Sequence, residues 1–135
     1  VNITAVSNGS TNFVKFSPTS STTVSYMQFD NGGANDGTLR YTGATTRDFH
    51  IACTVSFVSN SGTASTFVLG VAKNGTVIPS SKVLQRLSNT SDANSTAIHV
   101  STSMATNDTL TFWVANTTGT GDIKIKSINL FAMGM

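Results

Sequence analysis

Fold class is decided by the stretch Asp48-Phe49-His50-Ile51-Ala52-Cys53-Thr54-Val55-Ser56-Phe57-Val58. Every second residue from Phe49 to Phe57 is apolar, and most of the residues between them are small or polar. Side chains of a β-strand point alternately to its two faces, so this period of two predicts a half-buried strand. The core face is expected to carry Phe49, Ile51, Cys53, Val55 and Phe57.

The same alternation recurs along the chain, with turn residues between the segments. Further strand candidates include residues 12–16, 22–29, 65–73, 96–104, 109–115 and 123–133. No window has the 3.6-residue period and the caps of a helix. Together with shorter candidates, the pattern gives eight to ten strands and predicts an all-β, antiparallel sandwich or barrel.

Two local signals refine this prediction. Asn74-Gly75 separates two apolar runs, and both residues adopt positive φ easily, so a two-residue hairpin is predicted there. Pro79 interrupts the next candidate, residues 77–87, and predicts an edge strand or a bulge because proline has no N–H to donate.

The length of the chain indicates how many domains to expect, and its charge indicates which partners to expect. The 135 residues suit one domain, only 10% of them are charged, and the net charge is +2. The sequence has no cluster of Lys and Arg of the kind that contacts a phosphate backbone, so we expect no nucleic-acid partner. No apolar run approaches the roughly 18 residues of a membrane span, so we expect no membrane insertion. A surface of hydroxyls and amides is typical of extracellular and virion proteins.

The chain begins at Val1 rather than at Met, and we expect that it is cut from a longer protein. Residues 31–135 are predicted to form the head domain. Residues 1–30 are predicted to belong to the same domain, as one or more extra strands and a link to an upstream stalk.

Three motifs, in this order, suggest a family. They are Asp36-Gly37-Thr38-Leu39-Arg40-Tyr41-Thr42-Gly43 before the long strand, Val71-Ala72-Lys73-Asn74-Gly75-Thr76-Val77-Ile78, and Met104-Ala105-Thr106-Asn107-Asp108-Thr109-Leu110. The chain resembles the TNF/C1q-like jelly-roll domains at the heads of phage and large-virus fibre and spike proteins, over roughly its last hundred residues. Asn107 stands where the family usually has glycine, and asparagine tolerates positive φ.

The resemblance implies a homotrimer in which one sheet of each protomer packs around a three-fold axis. The non-core faces of residues 48–58 and 96–104 are small and uncharged, and residues 128–133 are apolar on both faces. The trimer interface is therefore predicted to contain His50, Ala52, Ala97, His99, Trp113, Phe131 and Met133. Alternatively, Trp113 is an exposed platform on which a sugar ring stacks. The alternative for Phe131 and Met133 is that they fill the end of the sandwich within one protomer.

Catalytic chemistry finds little support in the residue types. The six acidic residues are all Asp, and five of them lie in or beside predicted turns, where Asp bonds its own backbone. Cys53 is expected to be a small buried hydrophobe. Two histidines without a third ligand are a weak zinc signal. We therefore predict no enzyme, no metal and no cofactor, with calcium at Asp30, Asn31 and Asp36 as the weaker alternative.

The expected function is that of a virion fibre or spike head that attaches the particle to a host-surface receptor, with carbohydrate as a candidate ligand. Loops at one end of a sandwich commonly carry recognition. The receptor-binding loops are predicted to contain Asn31, Asn35, Asp36, Asn89, Asp92 and Asn94. Two alternatives stay open: a structural capsid decoration or trimerising cap, and a secreted carbohydrate-binding module.

Overall fold

A computed structural model describes residues 2–3, 13–18, 28–33, 36–60, 64–88, 92–119 and 121–135. Within these ranges the chain forms eleven strands and one 3-10 turn, at Pro79–Ser81. The strands are β1 (Asn2–Ile3), β2 (Val14–Lys15), β3 (Phe29–Asp30), β4 (Leu39–Tyr41), β5 (Arg47–Ser59), β6 (Ser65–Lys73), β7 (Thr76–Val77), β8 (Val83–Leu87), β9 (Ala93–Met104), β10 (Thr109–Asn116) and β11 (Ile123–Gly134).

The strands form two antiparallel sheets that pack face to face. The smaller sheet has the order β1-β11-β5-β9, and the larger has the order β3-β4-β10-β6-β7, with β2 beside β10 and β8 beside β6. From β4 to β6 and from β8 to β11 the chain crosses to the other sheet at every connection. The predicted all-β sandwich is therefore confirmed.

The core lies between the two sheets and follows the predicted alternation. Phe49, Ile51, Cys53, Val55 and Phe57 of β5 are all buried, as the sequence predicted. They face buried residues of the larger sheet, which include Phe67, Leu69, Val71, Leu110, Phe112 and Val114. Truncating one of these phenylalanines to alanine costs about 3–5 kcal/mol in comparable cores.

An aromatic cluster closes the end of the sandwich where β5 begins. The ring centroids of Phe29, Tyr41 and Phe49 lie 5.0 to 5.4 Å apart. The Tyr41 hydroxyl donates a hydrogen bond to the carbonyl of Thr45 at 2.7 Å, so the one polar group of this buried cluster is satisfied.

The outer edge of β6 shows how the chain accommodates Pro79. β7 pairs with one end of β6 and β8 with the other, and the 3-10 turn lies between the two pairings. The Ser81 hydroxyl accepts the Val71 N–H at 2.9 Å, so a side chain replaces the missing ladder bond. The predicted interruption at Pro79 is confirmed, as is the hairpin, because Asn74 and Gly75 have φ of 51° and 82°.

The described residues form eleven strands, against the eight to ten expected. The difference comes from β1, a pairing of only two residues, and from the division of the candidate 77–87 into β7 and β8. Of the candidate at 22–29, residues 22–27 lie outside the described residues. The described parts of residues 1–30 join both sheets, since β1 pairs with β11, β2 with β10 and β3 with β4.

Candidate functional site

The face of the smaller sheet that points away from the core carries six of the seven predicted interface residues. We call this surface the outer face and define it by four rows across β11, β5 and β9, set by the strand register. The rows are Met133–His50–Ser101, Phe131–Ala52–His99, Asn129–Thr54–Ala97 and Ser127–Ser56–Ser95. No position in these rows is Asp, Glu, Lys or Arg, which is unusual for a solvent-exposed sheet.

A β-bulge gives the outer face its apolar side chains. The register of β11 against β5 shifts between Ile125 and Ser127, so that Lys126 is the extra residue. Ile125 points to the core before the bulge, and Ile128 packs against the core after it. Because the phase of the strand changes there, Phe131 and Met133 point outward instead of inward.

The half of the outer face near the end of β11 is apolar and exposed. Phe131 is 45% exposed, Met133 58% and the following Met135 66%. Ala52 lies between Phe131 and His99 in its row, and only 3% of it is exposed. Contacts made by this half of the surface would therefore come from the larger side chains around Ala52.

His50 and His99 meet on this half of the surface. Nε2 of His50 lies 3.0 Å from Nδ1 of His99, and the ring planes are inclined by 35°. Ser80, from the 3-10 turn, and Ser101 line a shallow depression beside the two rings. The register makes this contact diagonal, because His50 is directly opposite Ser101 and His99 opposite Ala52.

The other half of the outer face is polar but uncharged. It forms a second open depression whose lining consists of small side chains from all three strands, chiefly Thr54, Ser56, Ser95, Ala97, Ser127 and Asn129. Hydroxyls and one amide dominate this lining. Such a surface offers hydrogen bonds without the desolvation cost of charged groups.

Six of the seven predicted interface residues lie on the outer face, and Trp113 lies apart from them. Trp113 belongs to β10 in the larger sheet, where it pairs with Lys15 and Gly70. Its indole Nε1 donates to the Thr111 hydroxyl at 2.6 Å, and the side chain is half-buried. The two sheets separate Trp113 from the outer face, so the seven residues do not form one surface within a protomer.

The predicted receptor loops lie on opposite edges of the larger sheet. Asn31 and Asp36 fall between β3 and β4, at one edge, and Asp92 follows β8, at the other. Asn94 is the second residue of β9, in the smaller sheet, and its side-chain amide donates to Gln85 of β8 at 2.9 Å. Asn35 and Asn89 lie outside the described residues. The described loop residues therefore do not converge on a single patch.

Asp30 and Asp36 each form an ion pair with a basic side chain. Arg40 donates to both carboxylate oxygens of Asp30, at 2.9 and 2.6 Å. Hydrogen bonding from Lys15 lowers the pKa of Asp36, helped by Thr38, and hydrogen bonding from Arg40 likewise lowers the pKa of Asp30. These pairs occupy the carboxylates that the calcium alternative would use.

Asp108 links two turns at the end of the sandwich where β10 begins. Burial acts to raise its pKa, but hydrogen bonds from Asn74, from the Ala105 N–H and from Lys73 outweigh it, and the pKa is lowered. Asn74 Nδ2 reaches Asp108 at 2.9 Å, and Asn74 Oδ1 accepts the Thr109 N–H at 2.9 Å. Asp30, Asp36, Asp92 and Asp108 all accept nearby backbone N–H groups, as predicted for turn residues.

Cys53 is the buried hydrophobe that the sequence predicted. It is fully buried, and burial raises the pKa of its thiol to about 12. A thiol in that state is a poor nucleophile and a poor metal ligand. In the part of the chain that the structure describes, no three His, Cys, Asp or Glu side chains group together as a metal site would require.

Comparison with known proteins adds no relative. Neither the protein-family models nor the curated proteins compared with this chain include a match. Over the described ranges, no helix has the length and apolar character needed to cross a membrane. The function is accordingly inferred from the residues and their geometry.

Sequence reasoning did not predict that Met135 belongs to this surface, or that the rings of His50 and His99 contact each other. Met135 continues the alternation of Phe131 and Met133, and its Sδ lies 3.9 Å from the Ser101 hydroxyl, so the period-two pattern could have found it. The contact between His50 and His99 depends on the register of β5 against β9, which no sequence pattern specifies.

Proposed function

We propose that this chain is a non-enzymatic head domain of a virion fibre or spike, and that it is a TNF/C1q-like jelly roll. In this proposal three copies assemble through the outer face. The assembled head attaches the particle to a host-surface receptor, with a glycan as the proposed ligand class. The protein would then be extracellular, on the virion surface.

The observation that carries the proposal is the chemical character of the outer face. Four rows of residues lack ionic charge, and Phe131 and Met133 are about half exposed within them. Interface centres in protein assemblies are depleted in charge and enriched in aromatic residues and methionine. A large exposed apolar side chain flanked by uncharged neighbours is stabilised when a second copy covers it.

The strand order supports the jelly-roll part of the proposal. β4, β5, β6, β9, β10 and β11 alternate between the sheets in the way that two interlocked Greek keys require. The sheet β1-β11-β5-β9 contains the strands that the resemblance assigns to the three-fold axis. The number three comes from that resemblance, since an uncharged face by itself fits a dimer equally well.

The attachment part rests on the loops and on the low charge of the chain. Asn31 lies beside β3, at one edge of the larger sheet, and Asn94 lies on β9, at an edge of the smaller sheet, so in this proposal a receptor that reaches both positions contacts neighbouring protomers. Weak sites repeated in a trimer gain avidity of about 10² to 10⁴ without new contacts, which suits recognition of clustered glycans.

Light scattering tests the assembly directly. The trimer has an expected mass of about 42 kDa, three times the chain's 14.1 kDa. Phe131→Ser should shift the mass toward that of one chain, because a polar residue at this position weakens the covered apolar contact. Leu84→Ser is the matched control, since Leu84 is 67% exposed on the other sheet and its loss should leave the trimer intact.

A mass of 14.1 kDa for the wild-type chain would contradict the assembly. Receptor attachment is tested separately, by binding of the wild-type chain to host cells and to immobilised glycans. Asn31→Ala and Asn94→Ala should weaken that binding while the mass stays unchanged. A stable trimer that binds neither cells nor glycans would contradict attachment and favour the structural cap.

A further inference from the structure

The two histidines of the outer face form a pair with a specific geometry. His50 Nε2 and His99 Nδ1 are 3.0 Å apart, and the ring centroids are 5.1 Å apart. They project from neighbouring strands of one sheet, so the backbone ladder between β5 and β9 fixes their spacing. The chain has no other histidine.

We propose that His50 and His99 form a chelating site for a late first-row divalent metal ion, of which Zn²⁺, Ni²⁺ and Cu²⁺ are the candidates. Imidazole nitrogens bind such ions at about 2.0–2.1 Å, so two of them bound at right-angled to tetrahedral positions lie about 2.9–3.4 Å apart. The observed separation of 3.0 Å falls within that interval, so rotation of the rings about their side-chain bonds is the only movement needed to direct both lone pairs at one ion.

Binding of the ion replaces the proton that the two rings share. In the metal-free pair, one ring nitrogen carries a proton and donates it to the lone pair of the other ring. When the ion enters, that proton moves to the second nitrogen of its own ring. Both rings then bind as neutral ligands, and the charge of the complex is that of the ion.

The surroundings leave room for the rest of the coordination sphere. His99 is exposed and His50 half-buried, and Ser80 and Ser101 border the depression beside them. Water molecules would fill the remaining positions, because the four rows of the outer face contain no carboxylate and Asp48, on the same side of β5, lies one row beyond His50. Two imidazoles favour Cu²⁺ over Ni²⁺ and Zn²⁺, while Mg²⁺ and Ca²⁺ prefer oxygen ligands and should not bind.

The site needs only one chain, so the inference is independent of the proposed trimer. The test is a calorimetric titration of the wild-type chain with CuSO₄, NiCl₂ and ZnCl₂, each metal alone. One ion per chain is expected. His50→Ala and His99→Ala should each weaken Cu²⁺ binding by about a hundredfold, because a single imidazole loses the advantage of two ligands on one scaffold.

Ser56→Ala, on the same face of β5, is the matched control and should bind like the wild-type chain. The histidine variants are compared by circular dichroism to establish that they fold. Each titration is repeated on Phe131→Ser. If sister copies cover the outer face in the wild-type protein, this variant leaves that face open to the metal ion. Absence of saturable binding in both backgrounds would overturn the inference, as would single-histidine variants that retain wild-type affinity.

Discussion

At the residue scale, the position of Cys53 in the sheet shields its reactive thiol from solvent. It lies in the central strand of the smaller sheet, between Ile98 and Leu130, and points into the core. No water reaches the sulfur to solvate a thiolate, and the pKa of the thiol therefore rises to about 12. The protonated form is held wherever the fold is intact.

The thiol should therefore react only when the protein unfolds. We expect a disulfide reagent at about pH 8 to modify native Cys53 at least about 10³-fold more slowly than the urea-unfolded chain, because reaction requires opening of the core. The unfolded sample is the control and should give one thiol per chain. A native rate within tenfold of the unfolded one would contradict the burial of Cys53.

Asp108 is expected to make stability depend on acid pH. Its pKa is below the ordinary 3.8, so the unfolded chain binds a proton more readily than the native one. The resulting stability is present above the ordinary pKa and is lost as the pH falls through the lower native value. We would measure the free energy of unfolding by urea titration between about pH 6 and about pH 2. Asp108→Asn should be less stable than the wild type near pH 6, and the two proteins should have similar stabilities near pH 2.

Ser95→Ala serves as the control for that pH series. Ser95 lies on β9 and carries no group that titrates between about pH 6 and pH 2. Its replacement should change the free energy of unfolding by the same amount at every pH. Parallel pH curves for wild type and Asp108→Asn would show that Asp108 carries none of this dependence.

At the scale of elements, the hairpin between β6 and β7 depends on a left-handed backbone conformation at Gly75. Gly75 has φ of 82°, where a Cβ atom is strained even though no neighbouring atom lies within 4 Å. Gly75→Ala should lower the free energy of unfolding by about 1–2 kcal/mol. Gly119→Ala, at an equally open position without positive φ, should change it by less than about 0.5 kcal/mol.

Urea denaturation of the two variants measures this difference. Equal stabilities for Gly75→Ala and Gly119→Ala would show that the turn does not require a left-handed residue. Asn107 gives a second instance of the same physics, since it takes φ of 72° in the turn between β9 and β10.

The long strands could be predicted from the sequence because each has one buried face. The predicted segment 65–73 coincides with β6, and 123–133 differs from β11 by one residue at its end. Strands of two residues are located only loosely, because they hold no full period of alternation: the candidate 12–16 contains β2, and the candidate 22–29 reaches only the first residue of β3. Their pairing depends on distant partners in the sheet rather than on local sequence.

The bulge in β11 is visible in the sequence only in retrospect. Apolar residues fall at Ile123 and Ile125 and then, after two polar residues, at Ile128 and Leu130. This change of phase is the pattern of one extra residue, and the observed register places it at Lys126. Without the bulge, Phe131 would point to the core side of its strand.

At the scale of the whole molecule, the candidate surface combines three strands that are far apart in sequence. Alternation within β5 and β9 correctly predicted which side chains share the non-core face. It did not predict that Trp113 lies on the other sheet, because periodicity assigns a residue to a face and not to a sheet. The distances within the surface depend on register, which sequence patterns leave open.

The central claim is that sister copies cover the outer face, and hydroxyl-radical labelling read by mass spectrometry tests it most directly. Met133 and Leu84 are 58% and 67% exposed in the single chain, so both should be labelled if the protein remains monomeric. We predict that Met133 is protected in the wild-type protein and labelled in Phe131→Ser, while Leu84 is labelled equally in both. Equal labelling of Met133 in the two proteins would contradict the claim.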